Sequence, residues 1–543
     1  MSKKHLENTL WILIFFSLVL GYALFYAPFG VNETDGGFLT GLSWQVLQGK
    51  ILYRDLVYVR PPLPVWLRAL ELQYLPERYG VLGERWIFYL KVGMYSWLGA
   101  ALLYDDKQRW ILATFGFIVS AHCYPAMAWH TVDGILFSVL AVYLFFQARN
   151  GLSGVAMLVI AGCSLLAAVL CKQSFYPLIP FLAVVTGFLN GRKMLTMFTG
   201  FALATVSVVY YFYTSDQLTG FMKMTGGAAS GGQAIRHGII DYGMITPELA
   251  IPSLVLAIVG FWQYRKGRSE IVLAYVWGLW LLALVASFGV VVWMRQEHTA
   301  PFAQTRFLFD LAVAYVIFQL YRINVGDARV ENARISAVLL LLSITWCAAI
   351  SWGYSLPIMF STPWVWTAME ISNRISLKVR TMVPYYRIFL LTALLAVFYV
   401  GFMFVYRDGK RQAMTEPMGD IFPALTGIYS DTTTAALYRD LKTLAEKYGP
   451  NFKVLPAFPQ ANYLTGTPPP LPLDWVVNRE TNSDNKLIFK DLNDKNPIVF
   501  LEKTYLEVLP TDPELTVSRT VFETYEHLEE TTYFLVLRGH STK

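Results

Sequence analysis

Long apolar runs separated by short polar segments dominate the first three quarters of the chain. About 20 residues of α-helix span the hydrocarbon core of a bilayer, and many of these runs have that length. Twelve spans are predicted, at residues 9–30, 86–104, 110–128, 132–148, 152–171, 174–190, 194–213, 247–263, 270–294, 306–321, 335–356 and 387–406. The first run is too long for a removable signal peptide and lacks a small-residue cleavage site. The pattern predicts a multi-pass helical membrane protein.

The short polar loops carry an orientation signal. When successive spans alternate in direction, the basic residues of the loops fall on one side, at Lys3, Lys4, Lys107, Arg109, Arg149, Arg192, Lys193, Arg265, Lys266, Arg268 and within 322–334. Basic residues are enriched in cytoplasmic loops, so that side is predicted to be cytoplasmic. The other side receives the first loop, at 31–80. No nucleotide is available there, so chemistry on that face must use a lipid-borne or exported reactant.

From about Arg411 the pattern changes to short apolar runs among charges, prolines and turn residues. Strand-sized runs at 452–455, 497–501 and 532–537 and an amphipathic stretch at 431–448 predict a small soluble α/β unit over 411–543, after a transmembrane domain over 1–410. Twelve crossings and the basic cluster at 407–411 place this unit in the cytoplasm. A thirteenth crossing by the aromatic stretch 356–371 would place it outside. Loop charge alone leaves both orientations open.

Composition excludes several classes of function. Only 15% of the 543 residues are charged and 55% are hydrophobic, which is atypical of a soluble globular protein. The net charge of +6 comes from short clusters between apolar runs, so we expect no nucleic-acid partner. The four cysteines lie in or beside apolar segments at spacings that fit no metal motif, and we interpret them as small core residues.

The first loop carries the strongest candidate chemistry. Glu33 and Asp35 follow the first span directly, and acidic groups next to hydrocarbon are expensive unless they have a partner or a function. Gly36 and Gly37 would leave space beside them. Cations follow at Arg54 and Arg60, and residues 61–74 have the pattern of an amphipathic interfacial helix. Glu33 could be a second catalytic carboxylate, a metal ligand or the salt-bridge partner of Arg54.

Further candidates lie at predicted span ends on the same face. Asp133 could orient sugar hydroxyls or cap the helix that follows it. Lys172 and Arg306 could bind an anion or could place their charges at the interface as ordinary span-end residues. The same alternative applies to Arg54 and Arg60, although a guanidinium also matches phosphate oxygens in a two-pronged geometry.

The first loop resembles that of polytopic GT-C glycosyltransferases. The Glu-x-Asp pair, the Gly-x-x-x-Tyr-Arg-Asp segment at 49–55 and Arg60-Pro61-Pro62 are similar to the bacterial relatives of protein O-mannosyltransferases and to the lipid A aminoarabinose transferases. Residues 455–459, 463–466 and 468–470 resemble the soluble tail of such enzymes. The pair is Glu-x-Asp rather than the Asp-Glu of the mannosyltransferases, which leaves open which carboxylate is the base.

The resemblance implies a GT-C-like fold of about 12–13 transmembrane helices and an inverting glycosyl transfer. A polyprenyl-phosphate-linked sugar would be the donor, and a hydroxyl of a glycan, lipid or protein would be the acceptor. The active site and the soluble tail would face the extracytoplasmic side of a bacterial inner membrane. Asp35 would be the base, assisted by Glu33, and the other substrate-binding candidates are Arg54, Arg60, Asp133, Lys172 and Arg306. Participation of a divalent cation is left open.

The main rival is a secondary transporter or a flippase of a lipid-linked or anionic substrate. Twelve spans suit a transporter, but transporters tend to carry internal repeats and charges at the membrane midplane. Here no clear repeat is present, and the acidic residues cluster at one face. A non-catalytic subunit whose tail binds a partner is a second alternative.

Overall fold

We analysed the protein in a computed structural model, which describes residues 3–105, 107–122, 126–226, 329–350, 359–378 and 409–540 and isolated positions in 262–319 and 403–405. Helices α1 to α9 are Lys3–Tyr26, Phe38–Leu47, Leu63–Tyr74, Gly80–Leu103, Lys107–His122, His130–Gln147, Leu152–Val169, Leu178–Thr214 and Leu218–Thr225. Helices α10 to α16 are Arg329–Ala349, Thr362–Lys378, Thr432–Tyr448, Ala461–Leu464, Asn478–Thr481, Lys486–Lys495 and Thr516–Thr524. Strands β1 to β6 are Glu416–Pro417, Tyr429–Ser430, Phe452–Leu455, Ile498–Glu502, Glu526–Glu530 and Phe534–Arg538.

The described residues are mainly helical, and the predicted membrane class is confirmed in outline. Six helices are long and apolar enough to cross a membrane, around α1, α4, α6, α7, α8 and α10. The predicted spans at 247–263, 270–294, 306–321 and 387–406 lie outside the continuously described residues. The predicted interfacial helix is present as α3, whose first turn accepts Pro64 because that position needs no backbone N–H.

The long helix α8 contains one residue with non-helical backbone angles, Asn190 (φ −164°, ψ 98°). A straight helix of 37 residues would be roughly 55 Å long, well beyond the ~30 Å hydrocarbon core. The break divides α8 into two arms, which correspond to the spans predicted at 174–190 and 194–213. The second arm packs closely on α7, since a Cβ on Gly162 would lie 2.1 Å from the carbonyl oxygen of Met197.

The loops between these helices gather at two ends, as alternating spans require. At one end, Lys193 donates a hydrogen bond to the carbonyl of Ala148. At the other end, Gln173 Nε2 donates to the carbonyl of Val59 at 2.6 Å, and Leu63 N donates to Leu170 O at 3.0 Å. The first loop and the loop after α7 therefore share one end, which the loop-charge pattern assigns to the outside.

The C-terminal unit contains a four-stranded mixed sheet in the order β3-β4-β6-β5. Strands β3 and β4 are parallel, with Phe452 opposite Ile498, and the other two pairs are antiparallel. Helix α12 starts where Asp431 accepts hydrogen bonds from the amides of Thr433 and Thr434. The three strands and the helix predicted here are present to within two residues of their expected bounds.

The C-terminal unit docks on the first loop through two glycines. A Cβ on Gly37 would lie 2.7 Å from Cβ of Gln460, and a Cβ on Gly41 would lie 2.3 Å from the carbonyl oxygen of Pro459. Buried apolar residues of the two parts form one continuous core that joins Phe38, Leu39 and Leu42 to Leu455, Leu471 and Trp475. The first loop and the C-terminal unit therefore lie at the same end of the helices.

Polar contacts reinforce this interface. Asp474 forms a buried ion pair with Lys453 at 2.5 Å and accepts from Gln45 Nε2 at 2.9 Å. Lys50 Nζ donates to the carbonyl of Pro469 at 3.1 Å, and Val57 N donates to Pro472 O at 3.0 Å. The proline-rich segment noted in the sequence is thus hydrogen-bonded to the first loop.

Arg411, part of the basic cluster that suggested a cytoplasmic tail, has a structural role. Its guanidinium lies over the rings of Tyr26 and Phe29, 4.6 Å and 4.5 Å from their centroids, and donates to the carbonyl of Phe25 at 3.0 Å. These residues form the junction of α1 with the first loop. The charge of Arg411 is therefore bound within the protein, and the side of the membrane on which the tail lies stays a prediction.

Gly41→Ala should weaken the docking of the C-terminal unit. The new Cβ would meet the Pro459 carbonyl and the Asp474 carboxylate, which lies 2.8 Å from the Cβ position. Such overpacking costs about 1–3 kcal/mol, so the melting temperature in detergent should fall. Gly21→Ala is the matched control, because nothing lies within 4 Å of its Cβ position in α1. Equal melting temperatures for the two variants would contradict the close approach.

Candidate functional site

The turn that presents Asp35 is built by Asn32. Its side-chain oxygen accepts hydrogen bonds from the amides of Thr34 and Asp35, at 3.1 Å and 2.7 Å, and from the hydroxyl of Thr34 at 2.9 Å. Asp35 then opens a short 3₁₀ helix that leads into α2, and it is only 6% exposed. The turn therefore holds Asp35 in a buried position at the start of the segment that leads into α2.

The space beside Gly37 is filled, contrary to the expectation that both glycines leave room next to the carboxylates. Gln460 of the C-terminal unit occupies it, and its amide nitrogen also donates to the hydroxyl of Tyr438 at 2.9 Å. The position of Gly36 is more open, since the nearest atom to its Cβ position is Cβ of Asn32 at 3.7 Å. Gly37 serves the interface.

Glu33 has a carboxylic neighbour in the C-terminal unit. Burial, followed by the charge of Glu33, raises the pKa of Glu502, at the end of β4, to about 8. The proposed salt bridge between Glu33 and Arg54 is absent, because the guanidinium of Arg54 binds Asp55 through Nε and Nη2 at 2.9 Å and 2.8 Å. Arg54 is 43% exposed in this pairing and does not join the buried cluster of site residues.

Arg60 is the first cation of the site. The Asp35 carboxylate lies within electrostatic range of the Arg60 guanidinium. That guanidinium lies over the ring of Phe38, 5.0 Å from its centroid. Both of its terminal nitrogens bind Glu480 of the C-terminal unit, Nη2 donating to Oε1 at 2.6 Å and Nη1 to Oε2. The guanidinium of Arg60 thus binds the carboxylate of Glu480 in the two-pronged geometry that was proposed for phosphate.

Lys172 is the second cation of the site. Its ammonium contacts the hydroxyl of Thr131 at 3.4 Å, and no described carboxylate lies within the 4.0 Å of an ion pair with it. Burial, followed by the positive charge of Arg60, lowers the pKa of Lys172 to about 7, while Glu480 partly opposes this. A half-buried lysine without a close counter-ion is a favourable place for a negatively charged ligand.

Aromatic side chains line the same cluster. Phe38 packs against the rings of His130 and Trp475 at 5.8 Å and 5.6 Å, and Tyr58 stacks on His130 at 6.1 Å. His130 and Tyr58 are 0% and 1% exposed, yet among the described residues neither ring nitrogen of His130 nor the hydroxyl of Tyr58 has a hydrogen-bond partner. Most buried polar groups are hydrogen-bonded, so these atoms are suited to bind a polar ligand group.

Asp133 belongs to a buried chain of ion pairs. Its carboxylate binds Lys91 at 2.7 Å, and Lys91 also binds Glu71 at 2.9 Å. Arg68 continues the chain between Glu71 and Glu84, at 3.3 Å and 2.6 Å. Removing one member of such a chain leaves a buried charge unpaired, so the chain fixes α3, α4 and α6 relative to one another. Asp133 is thus part of this framework, and its proposed contact with the substrate stays a prediction.

Two predicted features of the site are not addressed by these contacts. Arg306 lies outside the described residues, and its proposed role stays a prediction. Within the described part of the chain, no group of three His, Cys, Asp or Glu side chains is placed to hold a metal ion. The participation of a divalent cation, left open by the sequence, therefore stays open.

Sequence reasoning missed Glu480, Tyr58 and Phe38. Glu480 lies 420 residues from Arg60, in a tail whose charges are mostly at the surface, so nothing in the local pattern indicates its partner. Tyr58 and Phe38 are apolar-pattern residues of the first loop. Tyr58 is only two residues from Arg60, so its nearness to Arg60 could have been suspected from the sequence.

No protein-family model and no curated protein sequence matches the chain. ArnT from Cupriavidus metallidurans bound to undecaprenyl phosphate is 12% identical with a TM-score of 0.44, over 98% of this chain and 99% of that chain. Two structures of the Archaeoglobus fulgidus oligosaccharyltransferase, one with Zn and sulfate and one with an inhibitory peptide and a dolichol-phosphate, are 14% and 12% identical. Their TM-scores are 0.46 and 0.47, over 93% and 94% of this chain and 69% and 71% of theirs.

An ArnT and an oligosaccharyltransferase are thus among the solved structures that the chain is similar to, in agreement with the resemblance suspected from the first loop. With TM-scores below 0.5 and identities of 14% or less, it establishes neither family membership nor an activity.

Proposed function

We propose that the chain transfers a sugar from a polyprenyl-phosphate-linked donor to an acceptor hydroxyl, with inversion. The observation that carries this proposal is the gathering of Asp35, Arg60 and Lys172 at one end of the helices. They come from two loops that are distant in sequence, and electrostatic range connects Asp35 to Arg60 and Arg60 to Lys172. One carboxylate and two cations at a membrane edge match the charges that develop when a phosphate departs from a sugar.

The chemistry assigns one task to each group. Asp35 takes the proton from the acceptor hydroxyl as its oxygen forms a bond to the anomeric carbon. The bond between that carbon and the phosphate oxygen breaks, and the polyprenyl phosphate leaves with the electron pair. Arg60 and Lys172 neutralise the charge that develops on the leaving phosphate. The hydroxyl of Tyr58 and the imidazole of His130 supply hydrogen bonds for the sugar hydroxyls.

The same arrangement supports an extracytoplasmic site and tail. The loop-charge pattern assigns the end that holds the first loop to the outside, and the C-terminal unit is docked on that loop. The chain would then cross the membrane an even number of times between the first loop and residue 411. That parity favours thirteen crossings over twelve and places the tail beside the acceptor entrance. A bacterial inner membrane is the setting that the resemblance implies.

Asp35→Asn should abolish transfer in a folded protein, because the amide keeps the shape of the side chain and cannot accept the proton. Loss of a general base should reduce the rate by about 100-fold or more. The measurement is the rate at which membranes containing the variant or the wild type transfer radiolabelled sugar. The donor and acceptor are first identified from the lipid-linked glycans that accumulate in cells lacking the protein. Glu33→Gln is the matched variant in the same turn. A larger loss in Glu33→Gln than in Asp35→Asn would move the base to Glu33.

Donor affinity should fall as the pH rises through about 7. The protonated Lys172 binds the phosphate, and the pKa of Lys172 is lowered to about 7, so the charge is present below that pH and lost above it. We expect the affinity to fall about tenfold between about pH 6.5 and 8.5. Lys172→Arg keeps its charge throughout, and its affinity should be nearly independent of pH over this range. Parallel pH profiles for the two proteins would remove Lys172 from donor binding.

A single cysteine at Ser483 tests the side of the tail. This residue is exposed in the C-terminal unit, and the four native cysteines can be replaced first. A membrane-impermeant maleimide should label the Ser483→Cys variant in intact cells. Labelling that requires broken membranes would place the first loop and the tail in the cytoplasm together, because the two are docked.

A further inference from the structure

The two terminal nitrogens of the Arg60 guanidinium bind a carboxylate of the protein itself. Glu480 is 3% exposed and binds both terminal nitrogens of Arg60, which is the geometry that a phosphate would use. Lys172 lies within electrostatic range of the same carboxylate. Two cations therefore share one buried carboxylate where the proposed function places the donor phosphate.

Arg60 has contacts other than the one with Glu480. The hydroxyl of Tyr53 donates to the carbonyl of Arg60 at 2.6 Å, and Gln173 Nε2 holds the carbonyl of the preceding residue at 2.6 Å. The ring of Phe38 supports the guanidinium from one face. Since these contacts come from the membrane part and the first loop, they would keep Arg60 in place if Glu480 moved away.

Within the described part of the chain, the segment that carries Glu480 is joined to α9 by two polar contacts. It belongs to the single turn α14, which is followed by two residues in the left-handed region, Asn482 (φ 52°) and Ser483 (φ 62°). Asn482 donates to the carbonyl of Met224 at 2.7 Å, and Lys223 pairs with Asp484 at 3.0 Å between side chains that are 74% and 42% exposed. An exposed pair of this kind contributes little, so segment 478–485 can separate locally from α9.

We propose, resting on the proposed function, that Glu480 occupies the donor-phosphate subsite in the donor-free protein and that the phosphate displaces it on binding. Glu480 keeps Arg60 paired while the site is empty. Arrival of the phosphate transfers the fork from the carboxylate to the phosphate oxygens and releases segment 478–485. Donor binding is thereby coupled to the C-terminal unit, because segment 478–485 is released only when the subsite is filled.

The proposal predicts that Glu480→Gln binds polyprenyl phosphate on the order of tenfold more tightly than the wild type, because the neutral amide competes poorly for Arg60. Binding of undecaprenyl phosphate to the full-length protein in detergent is the measurement, with undecaprenol as the ligand that lacks phosphate. Glu523→Gln, which removes an exposed charge on α16, is the matched control and should bind like the wild type. If Glu480 merely positioned Arg60, Glu480→Gln would bind more weakly, and that result would overturn the proposal.

Amide hydrogen exchange provides the second measurement. In the wild type, undecaprenyl phosphate should increase exchange in peptides covering 478–485, whereas undecaprenol should leave it unchanged. The displacement would be overturned if undecaprenyl phosphate left exchange in 478–485 unchanged or slowed it and if the wild type and Glu480→Gln bound it with equal affinity. The proposed donor class would then remain intact. Absence of phosphate-dependent binding in both proteins would overturn the displacement and the proposed function together.

Discussion

The close backbone approach between the first loop and residues 459–460 is the constraint on which the site depends. Gly37 and Gly41 allow it, because any side chain there would meet the backbone of the C-terminal unit. Only at this separation can Glu480 reach Arg60 and can Asp474 reach Gln45. The tail is therefore part of the wall of the site, and the apolar core that joins the two parts explains why they lie at one end of the helices.

The sequence could indicate the framework because its signals are local. Apolar runs of bilayer length, the break at Asn190 and the strand-sized runs after Arg411 each predict an element from neighbouring residues. Asp35 and Arg60 stood out because charges next to hydrocarbon need an explanation. Glu480 carried no such signal, since its partner is set by docking of the tail. The contacts of Arg411 carried no signal either, because loop charge does not reveal whether a guanidinium lies over aromatic rings.

The cations at this end of the helices fall into two groups according to their partners. Lys91 and Arg68 each bind two carboxylates in the interior and serve the framework. Arg60 has one carboxylate, and Lys172 has none within ion-pair distance among the described residues. Where cationic side chains outnumber the carboxylates that pair with them, an anionic ligand would balance the charge. Lys172 lies in such a place and Lys91 does not, although both are largely removed from solvent.

The separation of 420 residues between Arg60 and Glu480 has a consequence for biosynthesis. At ribosomal rates of roughly 5–20 residues per second, the first loop would wait about 20–80 seconds before its partner is made. During that interval the side of α2 that carries Gly41 lacks its partner in the C-terminal unit. Maturation of the protein is therefore a late, post-insertion event, and a nascent chain halted before the tail would carry an uncovered apolar surface that quality-control proteases can recognise.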